Sequence, residues 1–233
     1  MRLLSTILIL LLAGPAWSSE CVVLLHGLLR SADSMKPMED ALREAGFETA
    51  NVEYPSRDAP IEELAAPAVE EGILRCRAID GVDTIHFVTH SLGGILVRYY
   101  LEYWDITGLG RVVMLGPPNQ GSLAADRMGV LPGYDLVQGP VGRQLGKGEN
   151  SVPLQLGPAD FELGIIAGNE TIDPITSAVL PNPDDGKVSV EDTKLEGMDD
   201  FVVVDHSHTF MMRLEEPIEL TIRFLKTGRF SED

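Results

Sequence analysis

The chain has 233 residues and sets 36 acidic side chains against 18 basic ones, a net charge of −18. That charge repels nucleic acid and anionic lipid surfaces, which excludes a nucleic-acid partner, and it describes a solvated acidic surface rather than a site. Once an N-terminal leader is set aside, about 215 residues remain, enough for one domain with a sizeable core.

The leader is the first element. Arg2, an apolar run from Leu3 to Ala13, and the small residues of Gly14-Pro15-Ala16-Trp17-Ser18 read as a signal peptide with cleavage expected after Ser18, an uncleaved N-terminal anchor being the alternative. Its apolar run is shorter than the about 20 residues a membrane span takes, and no later stretch is long and apolar enough to cross. Export to the periplasm or the exterior is therefore expected, with residues 19–233 as the mature domain. The two cysteines, Cys21 and Cys76, are then expected to form one disulfide.

From Cys21 onward strands and helices alternate. Strands are predicted at Cys21–Leu25, Phe47–Glu53, Thr84–Thr89, Arg111–Leu115, Phe161–Ala167 and Phe201–Val204. Helices are predicted at Ser34–Ala45, stopped by Gly46, at Ile61–Arg77, at Leu92–Trp104, and from Pro217 to Lys226, stopped by Gly228. Such alternation defines the α/β class: a mainly parallel sheet of about six strands with helices on both faces. One region breaks the rhythm. Residues 117–158 are rich in Gly and Pro with scattered apolar side chains, which fits a lid or substrate-binding insertion and equally a packed insertion with short helices.

The segment from Ile85 to Gly94 carries the chemistry. An apolar strand runs into Thr89-His90-Ser91-Leu92-Gly93-Gly94 and then into a helix, so Ser91 sits on a sharp strand-to-helix turn of the nucleophile-elbow kind. A serine hydroxyl needs a base to take its proton and an acid to orient that base. His26, His86 and His90 lie in or beside core strands and read as structural. His206 and His208 follow the strand Phe201–Val204, at the carboxyl end where open parallel sheets carry their sites; His208 is the expected base and His206 its rival. In the serine, acid, histidine chain order of such folds, the turn Pro183-Asp184-Asp185-Gly186 supplies the acid, with Asp185 ahead of Asp184 because Gly186 lets the backbone turn. The amides of Leu28, after His26-Gly27, and of Leu92 are the expected oxyanion donors. No zinc-ligand spacing and no phosphate-cradling glycine loop occurs, so neither metal nor cofactor is expected.

These motifs resemble the α/β-hydrolase superfamily, and within it the small secreted bacterial lipases and esterases. The resemblance rests on Val-Leu-Leu-His-Gly-Leu-Leu at 23–29, Thr-His-Ser-Leu-Gly-Gly at 89–94, Gly-Pro-Pro-Asn-Gln-Gly-Ser at 116–122, Asp-Gly-Lys-Val-Ser-Val at 185–190, and His208-Thr209-Phe210. Thr89 stands where the usual pattern has its first glycine. The resemblance implies a minimal hydrolase core, an ester-cleaving Ser91, Asp185, His208 triad and oxyanion amides at Leu28 and Leu92; the expected substrate is an acyl ester or lipid, cleaved through an acyl-enzyme, and the expected state is a monomer. A thioesterase or acyltransferase with the same triad, and a non-catalytic binding protein of the same fold, are the alternatives.

Overall fold

Short apolar runs bounded by turns become strands. In the computed structural model, which describes residues 19–232, they are β1 Ser19–Leu25, β2 Glu48–Val52, β3 Val82–His90, β4 Leu109–Leu115, β5 Leu163–Gly168 and β6 Asp200–Val204. The leader read at residues 1–18 lies outside the described residues. Every neighbouring pair is parallel, in the order β2-β1-β3-β4-β5-β6. The α/β expectation therefore holds, with one all-parallel sheet.

Successive strand residues point to opposite faces, and each face has its own core. Val23, Leu25, Phe87 and Ile165 pack with α2 Ile61–Arg77 and α3 Leu92–Tyr103, on one side. Val22, Leu24, Val88 and Val113 pack with α1 Lys36–Glu44 and α8 Glu215–Thr227, on the other. Four further helices, α4 Leu123–Gly129, α5 Tyr134–Gln144, α6 Pro174–Ser177 and α7 Val190–Thr193, lie in the long connections after β4 and β5.

The predicted helix from Ser34 splits. Residues Ala32–Met35 form a 3-10 turn and the α-helix starts at Lys36. Pro37 is the physical reason: it has no N–H to give to the carbonyl of Asp33, so the chain cannot wind as α-helix through that point. The Lys36 amide takes that carbonyl instead, in the tighter pattern. Cys21 and Cys76 are joined in a disulfide, with their Cα atoms 5.7 Å apart and a sequence separation of 55. It fastens the start of β1 to the end of α2.

The strand order also locates the crevice. The chain leaves β1 to one side to make β2 and returns on the other side to make β3, so the connections diverge above β1 and β3. At such a switch point the carboxyl ends of two strands open a gap that no crossover covers. The segments entering that gap are His26 to Leu29 and His90-Ser91.

Candidate active site

Ser91 is the single residue between the end of β3 and the start of α3. Its backbone sits at φ 52° and ψ −116°, a conformation that costs a non-glycine residue on the order of 1–3 kcal/mol. The surroundings hold it there: the Ser91 amide donates to the Leu115 carbonyl at 2.9 Å, and the Ser91 carbonyl accepts from the Gly94 amide at 3.0 Å. Gly93 is what lets the turn close, because a Cβ there would stand 2.5 Å from the Leu25 carbonyl oxygen. Thr89, in the place of the pattern's first glycine, is fully buried and directs its hydroxyl to the Val113 carbonyl at 3.4 Å. Room for it comes from Gly94, whose missing Cβ would lie only 3.2 Å from the Thr89 hydroxyl. Gly94 thus compensates for the glycine missing at position 89.

The loop after β1 is braced from below. The His26 ring stacks on Tyr54 with centroids 4.1 Å apart, its Nδ1–H donates to the Gly27 carbonyl at 2.9 Å, and the Tyr54 hydroxyl donates to the His26 carbonyl. Burial lowers the His26 pKa, so the ring is neutral and structural, as its strand position indicated. Leu29 takes a positive φ of 59° and gives its amide to Ser56 Oγ at 3.1 Å. Leu28, between these fixed points, lines the same cavity as Ser91.

His208 and Asp185 meet from loops after β6 and β5. His208 Nδ1 lies 2.7 Å from Asp185 Oδ2, and the His208 amide donates to the Asp185 carbonyl at 3.0 Å. The other carboxylate oxygen, Oδ1, accepts from the amides of Lys187 at 2.9 Å and Val188 at 2.8 Å. Asp184 faces elsewhere: its carboxylate accepts from the Gly186 amide at 2.8 Å and from Ser177 Oγ at 2.8 Å, holding the turn that presents its neighbour. His206 pairs with Glu216 at 3.0 Å. Between the rivals, the structure brings together His208 and Asp185.

His90, read from sequence as a framework residue, touches the same pair. Its Nε2 lies 2.9 Å from the His208 carbonyl and its ring centroid 4.7 Å from that of His208. Burial first, and then the adjacent His208, hold its pKa well below the usual histidine value, so it stays neutral and donates through Nε2. Gly116 is a second residue the sequence did not single out for the site. It has φ +56°, and a Cβ on it would come 2.9 Å from His208 Nδ1 and 3.1 Å from Asp185 Oδ2. The Gly-Pro-Pro run that begins there was its only signal.

Ser91, His208 and Leu28 line one cavity of about 670 Å³, within the range of small-molecule sites. Much of its opposite wall comes from the Gly- and Pro-rich region: Met128, Leu131, Tyr134, Val137 and Leu145 all line it. Val130 and Leu136, on the same segment, are more than four-fifths exposed. Burial pushes the Tyr134 phenol up to about 12, which leaves it a neutral wall residue.

No protein-family model matches the sequence, and no curated protein does either. Solved structures do match. A lipase of Bacillus licheniformis in its mature form superposes with TM-score 0.62 at 18% identity, over 93% of this chain and 94% of that one. In the propeptide form of that lipase the TM-score is 0.65 at 18% identity, over 86% of this chain but 48% of the other, so this chain spans about half that length. A phospholipase of Legionella pneumophila matches with TM-score 0.70 at 18% identity, over 91% of this chain and 60% of its own. The fold is that of the α/β-hydrolases, shared with bacterial lipases and esterases at low identity.

Proposed function

We propose that the chain is an exported serine hydrolase that cleaves carboxylic esters, with Ser91 as nucleophile, His208 as base and Asp185 as the orienting acid. The observation that carries this reading is the 2.7 Å His208–Asp185 contact, made at the cavity into which the strained Ser91 turn opens. The disulfide between Cys21 and Cys76 fits export after removal of residues 1–18, and residues 19–233 act as one hydrolase domain.

The chemistry follows from the groups present. Asp185 holds the Nδ1–H of His208, which leaves the lone pair on Nε2 to take the proton as Ser91 Oγ attacks the ester carbonyl. Negative charge on the carbonyl oxygen meets the amides of Leu28 and Leu92, the latter opening α3; each such donor is worth about 10² to 10³ in rate. Collapse expels the alcohol, which receives the proton from Nε2. Water then repeats the sequence on the acyl-Ser91 ester and frees the acid. Residues 117–158 serve as the wall for the acyl chain, through Met128, Leu131 and Val137.

A series of nitrophenyl acyl esters of increasing chain length, assayed below and above their solubility limits, tests the reading. Turnover of these esters supports it, and rate rising on emulsified long chains makes the enzyme lipase-like. Absence of hydrolysis across the series by folded protein contradicts it.

A further inference from the structure

A second cavity, of about 380 Å³, adjoins the first; the two share Leu29, Arg30 and Thr209. In a chain of net charge −18 this smaller space is walled by two guanidinium groups, Arg30 and Arg213, with the hydroxyls of Ser31, Ser34 and Thr209 and one acid, Asp33. Among the described residues, neither arginine lies within 4.0 Å of a carboxylate. Arg213 is fixed by carbonyls alone, donating to Asp33 at 3.2 Å and to Ser34 at 3.4 Å. The Asp33 carbonyl already accepts the Lys36 amide and takes Arg213 on its second lone pair. Neutral partners hold the side chain without cancelling its charge.

We propose that Arg30 and Arg213 bind an anionic group, phosphate or carboxylate, on the alcohol half of the ester. This rests on the ester-hydrolase reading, which also decides the half. His208 must protonate the departing alcohol, so the alcohol lies on the side of His208; Thr209 and Phe210, the next two residues, line the second cavity. The larger cavity, with its apolar wall, is left for the acyl chain. Guanidinium groups suit either anion, since their planar N–H forks match two oxygens of one phosphate or carboxylate. Arg30 is exposed, and its charge is among those that depress the pKa of buried His90, after burial and His208. The chain's overall negative field opposes an anionic substrate, but it is screened beyond about 8–10 Å at ordinary ionic strength, whereas two guanidiniums at contact are not.

The test compares kcat/KM for butyrate esters of glycerol, glycerol 3-phosphate and glyceric acid, and reads the ratio of each anionic ester to the neutral one. The wild-type ratio is expected above one. Arg30→Gln, at an exposed position, lowers it by about tenfold or more, the usual weight of a hydrogen bond to a charged group. Arg213→Gln does the same, and Arg213→Lys restores part of the ratio should the glutamine variant fold poorly. Arg229→Gln changes net charge equally but lies near the amino end of β6, where the next residue, Phe230, gives its amide to Asp200, whereas Arg30 and Arg213 follow the carboxyl ends of β1 and β6; it leaves the ratio unchanged. A raised ratio for the phosphate ester alone makes the site phosphate-selective, and for both anions a general anion site. A wild-type ratio at or below one, or one that Arg30→Gln does not move, overturns the proposal. If none of the three esters is cleaved by folded enzyme, and nitrophenyl butyrate is not either, the ester-hydrolase reading itself fails.

Discussion

His208 and Asp185 are joined twice, once through the side chains at 2.7 Å and once through the backbone, where the His208 amide donates to the Asp185 carbonyl at 3.0 Å. The double link makes the imidazole's orientation a property of two loops at once. Asp185→Asn keeps the shape and removes the charge that holds the Nδ1–H tautomer; kcat is expected to fall by on the order of 10⁴. Asp184→Asn, one residue away, instead weakens the turn held by Ser177 and Gly186. Its expected cost is about 1–3 kcal/mol of stability with a far smaller loss of kcat. Steady-state kinetics with chemical denaturation on both variants measures the contrast, and equal losses of kcat would contradict it.

Gly116 packs against this pair so closely that a methyl group has nowhere to go. Gly116→Ala places a Cβ 2.9 Å from His208 Nδ1 at a backbone φ of +56°. The ring must move, and kcat is expected to fall about 10- to 100-fold, with KM little changed, because the misplacement is of a reacting group. A variant with wild-type kcat would show that the ring tolerates displacement.

Three buried histidines set the acid limit of stability. His26, His86 and His90 all have pKa values pushed down by burial, from 6.5 in the unfolded chain. The unfolded state therefore takes up protons below about pH 6.5 that the folded state refuses. Stability is full above that pH and is lost as the pH falls, at up to about 1.4 kcal/mol per pH unit for each histidine that stays neutral. Thermal midpoints between pH 7.5 and 5 should decline accordingly. His90→Asn, which removes the ring whose pKa is pushed furthest below the usual histidine value, should show a shallower decline; an unchanged slope would remove His90 from the account.

The disulfide closes a long loop and is fully buried at both cysteines. Replacing both by alanine is expected to cost roughly 3–4 kcal/mol on the chain-entropy view, seen as a lower denaturation midpoint. Ester turnover at low temperature should persist, since the bond lies at the amino end of β1, away from Ser91. Loss of activity in a folded double variant would contradict that separation.

How far the chain can be read in advance depends on whether a feature is local. Helix Ile61–Arg77 has the predicted bounds because its apolar face and flanking Pro60 are both written in consecutive residues. The helix expected from Ser34 was overdrawn at its start because the effect of Pro37 falls on a carbonyl four residues earlier. The turn at Ser91 is equally local, down to Gly94 making room for Thr89. Asp184 and Asp185 are a different case. Neighbouring carboxylates in one turn have the same composition, and only Ser177, Lys187 and Val188 around them decide which one meets His208. The contact of His90 with His208 spans 118 residues, and Arg30 and Arg213 are brought to one cavity from opposite ends of the chain. Such meetings depend on the sheet order, which alternation of elements does not specify.

The central claim is that Ser91 becomes acylated. Incubating the enzyme with a fluorophosphonate and mapping the adduct by peptide mass spectrometry tests it most directly, beside hydrolysis of nitrophenyl butyrate by wild type and by folded Ser91→Ala. One adduct on Ser91, absent from the variant, with hydrolysis reduced by on the order of 10⁶, is the predicted result. Undiminished hydrolysis by Ser91→Ala, or an adduct on another residue, would contradict it.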